Sequence, residues 1–311
     1  MPALNVGLAT FLAECSEIAY KARWQAAEAF KERGFSEVHI YELGGAEAFL
    51  AFHPGLPARR GLPESPFAVV AFRGTERDYK DIFADITWLK RTIDYVRRYR
   101  VHGGFLSALN QVWGHHWDPA GLSEGDETGR LRFTAVRQGP EGVSERLVRW
   151  IEEDREEGGD MRVFLTGHSL GGAQAILAAY RLFNESRIAP TGVYTFGAPR
   201  AVGPALASAW PGELAVSRVE NGMDAVPMVP LPFMGFRHVG RRFHLSKKGE
   251  LQEVPSANNL VTLLRGIGEW LVTAAPALAA RALPFGLLVQ IPFPMFQDHS
   301  IVRYRGKLSR L

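Results

Sequence analysis

Ser169 lies at the centre of residues 167–171 (GHSLG), which fit the pattern G-x-S-x-G. The residues before this pattern, 162–166 (RVFLT), are largely apolar and predict a buried strand. Residues 170–183 follow as a predicted helix rich in small side chains. A serine on a tight strand-to-helix turn is the arrangement of a nucleophile elbow, so this junction constrains the fold more than any other feature of the chain.

Close packing explains the glycines of this motif. The elbow crowds the positions two residues before and after the nucleophile, so only a residue as small as glycine fits at Gly167 and Gly171. The backbone N–H of Leu170 would lie at the amino end of the following helix, where it could stabilise an oxyanion. The motif therefore predicts Ser169 as a nucleophile and Leu170 as an oxyanion-hole donor.

The surrounding pattern predicts an α/β fold. Residues 37–42 and 47–52 predict two strands joined at a two-glycine turn, and residues 67–72 (FAVVAF) are typical of a strand buried on both faces. Apolar positions at helical spacing predict a helix over 143–157. The strand, helix and strand that follow, over 162–196, imply a parallel pair with a right-handed crossover.

Composition is that of an ordinary globular protein. The 311 residues are 46% hydrophobic and 22% charged, and the formal net charge of +3 gives no reason to expect a nucleic-acid partner. No repeat or linker divides the sequence, so we expect one domain over residues 1–311. The segment 107–142 is rich in glycine, histidine and acids and predicts an insertion loop. Short basic runs, at 90–91, 97–100, 241–242 and 247–248, indicate solvated surface in preference to a site for an anionic surface.

Cys15 is the only cysteine, which excludes an intrachain disulfide and a zinc cluster built from thiolates. The first residues lack a basic segment, and their apolar positions from Leu4 to Cys15 fall at helical spacing. We therefore predict a packed first helix instead of a signal peptide. A fold without disulfides suits a reducing compartment such as the cytoplasm, and secretion stays open as an alternative.

Six further blocks accompany the elbow. They are 72–75 (FRGT), 101–105 (VHGGF), 194–200 (YTFGAPR), 218–227 (RVENGMDAVP), 238–240 (HVG) and 298–304 (DHSIVRY). In sequence and in order the blocks resemble those of the fungal-type triacylglycerol lipases, also called class 3 lipases. The resemblance spans residues 72–304. It implies an α/β-hydrolase fold with a central, mostly parallel sheet, helices on both faces and a lid or cap.

The chain downstream of Ser169 offers three histidines as the general base, because an α/β-hydrolase places its acid and then its histidine after the nucleophile. His238 and His244 alternate within a predicted strand over 236–245, which favours a packing or surface role. His299 follows a proline-containing segment, where a loop could present it over the sheet. We favour His299, which the resemblance also implies.

Asp224 is the favoured acid. It follows a predicted strand, as suits a strand-end loop, whereas Glu220 lies in or at the end of that strand. Asp298 is adjacent to His299 in sequence and is poorly placed to hold that ring from behind. The sequence thus predicts a triad of Ser169, Asp224 and His299, in which the histidine takes the serine proton and the carboxylate holds the imidazole.

The resemblance alone assigns Thr75 to the oxyanion hole, where it would contribute its backbone N–H beside that of Leu170. A competing oxyanion segment is residues 102–104 (HGG), which resembles the start of the H-G-G-G loop of hormone-sensitive-lipase-like esterases. Phe105 stands where that loop has a third glycine, so we favour Thr75.

Two apolar segments are candidates for contact with lipid. The family resemblance implies a helical lid over residues 76–89, although the same spacing fits a helix packed on the core. Residues 257–297 are strongly apolar but are interrupted by prolines, so a membrane-spanning helix is not expected. We expect a cap over the acyl-binding cleft there, with a membrane-interface patch and plain core as alternatives.

These features lead to a lipase or carboxylesterase acting on acylglycerols, with transient contact to a lipid interface. Phospholipase A1 and feruloyl-type esterase share the same motifs and stay open as alternatives. A binding protein that kept the hydrolase fold is disfavoured because every predicted site residue is present. His115, His116 and Asp118 could suggest a metal site, but their loop composition favours a surface cluster, and we expect neither metal nor cofactor. The sequence gives no indication of the oligomeric state.

Overall fold

Eight strands form one mixed sheet within the part of the chain that the structure, a computed structural model, describes. That part comprises residues 4–55, 61–74, 93–96, 99–114, 141–255 and 297–311. In chain order the strands are β1 (Glu37–Leu43), β2 (Ala46–His53), β3 (Phe67–Phe72), β4 (Ile93–Val96), β5 (Tyr99–His102), β6 (Arg162–His168), β7 (Gly192–Phe196), β8 (Val216–Asn221), β9 (Arg241–Leu245) and β10 (Leu251–Glu253). Strands β4 and β5 pair separately as a two-stranded antiparallel sheet.

The eight-stranded sheet has the order β1-β2-β3-β6-β7-β8-β9-β10. Its five central strands, β3 and β6 to β9, run parallel, and the strands at either edge pair antiparallel. This confirms the predicted mostly parallel sheet. The carboxyl ends of the five parallel strands meet at one side, called the carboxyl edge below, which is where α/β proteins place their sites.

Helices cover both faces of this sheet. They are α1 (Val6–Ile18), α2 (Arg23–Glu32), α3 (Gly103–Trp113), α4 (Val143–Glu156), α5 (Leu170–Ser186), α6 (Pro204–Ser208) and α7 (Ile301–Leu308), with 3-10 turns at Val226–Met228 and Pro232–Met234. One buried apolar cluster packs α3, α4 and α5 on one face, and a second packs α1, α2 and α7 on the other. The predicted first helix is α1, which is capped by Asn5, whose side chain accepts the N–H of Leu8.

The structure confirms three further predictions, for the β1–β2 turn, strand β3 and helix α4. Gly44 and Gly45 turn between β1 and β2 with φ values of +57° and +86°, a conformation that glycine adopts without strain. Every residue of β3 is buried, as its continuous apolar sequence predicts. The helix predicted over 143–157 is α4, whose apolar side packs on the sheet.

Two predictions are wrong in part. Residues 107–113, placed in an insertion loop from their polar neighbours, complete helix α3, because their apolar side chains pack in the core. The strand predicted over 236–245 begins only at Arg241. Gly240 has a φ of +76°, and a Cβ there would overlap Val216, so the chain bends before it joins the sheet. Among the described residues, every helix is too short or too polar to cross a bilayer.

Candidate active site

Ser169 occupies the junction between β6 and α5, as the sequence predicts. Its φ of +57° and ψ of −128° are unusual for a residue with a side chain, and its side chain is fully buried. The neighbouring strand fixes the turn, because the N–H of Ser169 donates to the carbonyl of Phe196 at 2.9 Å. This strained, restrained backbone is the geometry of a nucleophile elbow.

The glycines around the elbow lie where a larger side chain would overlap its neighbours. A Cβ at Gly167 would overlap the carbonyl of Gly171, and a Cβ at Gly171 would overlap the carbonyl of Phe72 at the end of β3. A Cβ at Gly172 would come within 2.7 Å of the Cβ of Ala198. The elbow therefore sits directly against the carboxyl ends of β3 and β7, and Leu170 begins α5 with its N–H at the amino end of the helix.

His299 and Asp224, separated by 75 residues in sequence, are in direct contact. The Nδ1 of His299 lies 2.8 Å from Oδ2 and 3.0 Å from Oδ1 of Asp224, and both side chains are buried. The carboxylate is held by two more donors: the Tyr304 hydroxyl donates to Oδ2 at 2.6 Å, and the Val226 N–H donates to Oδ1 at 2.9 Å. These donors orient the carboxylate, which in turn fixes the imidazole with Nδ1 as the donor to it.

Burial and the neighbouring Asp224 charge raise the pKa of Tyr304 well above its usual value, so its hydroxyl stays a donor. The same hydroxyl oxygen accepts the N–H of Asn221 at 3.1 Å. Helix α7 therefore reaches back to the end of β8 and holds the acid in place. Tyr304 closes a block of the family resemblance, but sequence reasoning assigned it no role.

The serine hydroxyl oxygen and the second ring nitrogen of His299 are both buried. Within the described residues, neither Ser169 Oγ nor His299 Nε2 has a hydrogen-bond partner. The structure therefore joins Asp224 to His299 but does not bond His299 to Ser169.

His168 links the elbow to His299, a contact that sequence reasoning missed. Its Nε2 lies 2.5 Å from the His299 carbonyl oxygen, which can only accept, so Nε2 carries the proton. Its Nδ1 then accepts from the Tyr20 hydroxyl at 2.8 Å. Burial, with a smaller contribution from the neighbouring His299, lowers the pKa of His168 well below its usual value, in agreement with a neutral ring. In the sequence, only the position of His168 next to Ser169 indicates that this histidine lies at the site.

The disfavoured acids have other partners. Glu220 joins a buried ion cluster, accepting from Arg218 Nη1 at 2.8 Å and from Arg242 Nε at 2.6 Å. Asp298 Oδ2 accepts the N–H of Met223 at 2.9 Å and so braces the loop that carries Asp224.

The other two downstream histidines bind backbone. His238 Nε2 donates to the Pro227 carbonyl at 2.8 Å, and His244 Nε2 lies 2.9 Å from the Gly222 carbonyl. Burial, together with nearby arginines, lowers the pKa of His238 well below its usual value. At the competing oxyanion segment, Gly103 and Gly104 open helix α3, and the His102 ring stacks on Phe105 with centroids 3.9 Å apart.

Several predicted features lie outside the described residues. These are Thr75, the lid over 76–89, the cap over 257–297 except for Gln297, and the cluster of His115, His116 and Asp118. Within the described ranges, no group of three or more histidines, cysteines or acids is arranged to hold a metal ion.

The sheet order, the elbow between β6 and α5, and an acid and a histidine delivered from later segments at the carboxyl edge define an α/β-hydrolase. Within that class the chain belongs to the class 3 lipase family. The family profile, described as Lipase (class 3), matches residues 69–234.

Named relatives agree with this family. The chain is 36% identical over 204 residues to phospholipase A1 EG1, chloroplastic/mitochondrial, of Oryza sativa subsp. indica, a match covering 59% of this chain and 43% of that protein. It is 28% identical over 175 residues to a lipase of Rhizopus niveus, covering 55% of this chain and 36% of that protein. The match thus spans about two fifths of the length of these relatives. The solved structure of Rhizomucor miehei triacylglyceride lipase shares the fold, with a TM-score of 0.57, 19% identity and coverage of 82% and 86% of the two chains.

Proposed function

We propose that this protein hydrolyses carboxylic esters of lipids, acting as a triacylglycerol lipase with Ser169 as its nucleophile. Ser169 Oγ attacks the ester carbonyl while His299 Nε2 takes its proton. His299 then protonates the departing alcohol, and a water molecule attacks the acyl-enzyme in the same way to release the fatty acid. Asp224 keeps Nδ1 of the imidazole protonated and stabilises the charged ring.

The observation that carries this proposal is the contact between His299 and Asp224 beside a strained, buried serine. The two side chains come from segments 75 residues apart, and the carboxylate has two further donors that set its orientation. Such a convergence at the carboxyl edge is typical of a site for proton transfer.

The oxyanion would be held by the N–H of Leu170 at the amino end of α5 and, as the family resemblance implies, by Thr75. Removing one donor of such a hole typically costs ~3 kcal/mol of transition-state stabilisation. The lid over 76–89 and the acyl-chain cap over 257–297 belong to the same proposal.

Phospholipase A1 activity is the second candidate, because the relative matched at 36% identity is named as a phospholipase A1. The chemistry at Ser169 would be the same for both substrates. The difference lies in whether the site accepts a phosphate head group beside the scissile ester, which only substrates can decide.

The test is a comparison of substrates on the full chain. A series of glyceryl esters of increasing acyl length is assayed beside phosphatidylcholine, with fatty acid release as the readout and Ser169→Ala as the blank. We expect hydrolysis of glyceryl esters that Ser169→Ala abolishes, together with labelling of Ser169 by a fluorophosphonate. Preferential release from phosphatidylcholine would establish the second candidate instead. A folded protein that neither hydrolyses these esters nor takes the label would refute ester hydrolysis altogether.

A further inference from the structure

A basic cavity lies between the turn that joins β9 to β10 and the end of α7. Its volume is about 280 Å³, and its lining residues are Lys247, Lys248, Gly249, Glu250, Lys307, Arg310 and Leu311. Four of the lining side chains are cationic and one is acidic. Three of the cations, Lys247, Lys248 and Arg310, are exposed at the surface.

The fourth cation, Lys307, is anchored at the base of the cavity. Its Nζ donates to Asn221 Oδ1 at 2.6 Å and to the Ser246 carbonyl at 2.9 Å. Burial lowers the pKa of Lys307, Asp298 opposes the effect, and the positive charges of Arg303 and Lys247 add to it. Four cationic side chains line one small cavity, so an anion bound there would be attracted by all of them.

The basic cavity opens at the same edge of the sheet as the candidate active site. Asn221 and Leu245 are register partners at the ends of the parallel strands β8 and β9, so the turn that begins at Ser246 lies at the carboxyl edge. Helix α7 starts two residues after His299 and has eight residues, which spans about 12 Å. The cavity therefore lies at the far end of the helix that follows His299.

One apolar side chain accompanies the cations: Leu311, which lines the cavity, is 56% exposed. An exposed apolar group beside lysine and arginine fits the boundary between phosphate head groups and acyl chains. A nucleic-acid surface offers phosphates without that apolar layer, and the small net charge of the chain does not favour it.

The sequence pattern indicated solvated surface at 247–248, but the fold brings Lys247 and Lys248 together with Lys307 and Arg310 in one cavity. We infer that the basic cavity docks onto the phosphate groups of an anionic lipid surface and so turns the carboxyl edge, with its active site, toward that surface. This inference rests on the proposed function, because only an enzyme with a lipid substrate gains from this orientation. The attraction depends on charge and weakens as salt screens it.

The experiment measures binding without hydrolysis. Full-length Ser169→Ala protein is sedimented with phosphatidylcholine vesicles, with and without phosphatidylglycerol. We expect binding that requires phosphatidylglycerol and that Lys247→Gln with Lys248→Gln weakens more than tenfold, since each cation near such a surface contributes about a fivefold change. Thermal unfolding checks that the double variant is folded.

Two further variants separate a local effect from one of total charge. Glu250→Gln removes the acid from the cavity and should strengthen binding severalfold, a direction that damage to the fold would not produce. Arg155 and Arg162 are exposed and lie at the opposite edge, at the end of α4 and the start of β6. Changing both to glutamine should leave binding nearly as it was.

Three outcomes would overturn the inference. Equal losses from the two double variants would mean a non-specific effect of net charge. Binding of inorganic phosphate without preference for phosphatidylglycerol vesicles would assign the cavity to a free anion. Preference for RNA over both would assign it to nucleic acid. Because Ser169→Ala is used throughout, failure here leaves the ester-hydrolysis assay to judge the proposed function separately.

Discussion

At the scale of single residues, Gly197 sets how closely the acid and histidine can approach β7. Its φ is +61°, and a Cβ there would lie 2.7 Å from Asp224 Oδ2 and 3.0 Å from both His299 Nδ1 and the Tyr304 hydroxyl. The side chains of the candidate site pack directly on this glycine. The sequence carries the residue in its YTFGAPR block, but only the structure explains why it is glycine.

Gly197→Ala should therefore impair activity by displacing the acid–histidine pair. A displacement of this kind by about 1 Å costs on the order of a hundredfold in rate, and we expect kcat/KM for a soluble short-chain ester to fall by that factor. Gly45→Ala is the matched control, because Gly45 also has a positive φ, +86°, but nothing within 4 Å of a Cβ. Similar losses from the two variants would show that backbone strain, not contact with the site, is responsible.

Tyr20 acts on the site through His168. Tyr20→Phe leaves the buried Nδ1 of His168 without its donor and loosens the ring that holds the His299 carbonyl. We expect kcat to fall about tenfold, equivalent to ~1.4 kcal/mol, with KM unchanged because Tyr20 would not touch substrate. Tyr194→Phe is the control, since the Tyr194 ring lies against Gly192 at the opposite end of β7. An unchanged kcat in Tyr20→Phe would remove Tyr20 from the positioning of His299.

At the scale of elements, the sequence pattern predicted the helices, strands and turns whose conformation depends on residues close together in sequence. The β1–β2 hairpin, the buried β3 and the elbow between β6 and α5 depend on neighbours in sequence, and all were predicted. The pairing of Asp224 with His299 needed the order of hydrolase segments and the family resemblance, because 75 residues separate the two. The contact of Tyr20 with His168 spans 148 residues and leaves no trace in periodicity.

The alternating apolar and polar residues over 236–245 predicted the wrong start for strand β9. The alternating sequence 236–245 predicted one strand, but the bend at Gly240 delays β9 to Arg241. Strand β9 then delivers Arg242 to the buried Glu220, which also binds Arg218 from β8. Burial lowers the pKa of Arg218, since the interior disfavours its charge. The single carboxylate therefore compensates the charges of two buried arginines, one on each strand.

Glu220→Gln should accordingly destabilise the protein. Removing one member of a buried ion pair leaves uncompensated charge and typically costs ~3–5 kcal/mol of the free energy of unfolding. Urea unfolding followed by tryptophan fluorescence measures the loss. The exposed pair of Arg241 with Glu253 joins the neighbouring strands β9 and β10, so Glu253→Gln is the matched control and should leave the unfolding midpoint nearly unchanged. Equal midpoints for the two variants would contradict the importance of burial.

At the scale of the whole molecule, four of the histidines that the structure describes have a lowered pKa, in different parts of the fold. His53 ends β2, His102 precedes α3, His168 ends β6, and His238 precedes β9. The first three are buried and His238 is half-buried. Burial is the largest cause of the lowered pKa in each, and it brings that of His102 to about 4. In the unfolded chain each ring would take a proton near pH ~6.5. The folded protein does not bind these protons at that pH, so its free energy of unfolding depends on pH.

The free energy of unfolding should fall as the pH falls below about 6.5, where the unfolded chain binds protons that the folded protein does not. The slope can reach ~1.4 kcal/mol per pH unit for each of the four histidines, and the contribution disappears above about pH 7, where both states are neutral. Urea unfolding between about pH 8 and about pH 5 measures this slope. The slope arises from the neutral imidazoles only if replacing one of them changes it. His102→Asn should reduce the slope, whereas His39→Asn, on the half-exposed strand β1, should preserve it because the four histidines with a lowered pKa remain. Stability that stays level or rises toward pH ~5 would mean that the folded protein accepts these protons, contrary to the burial of the rings.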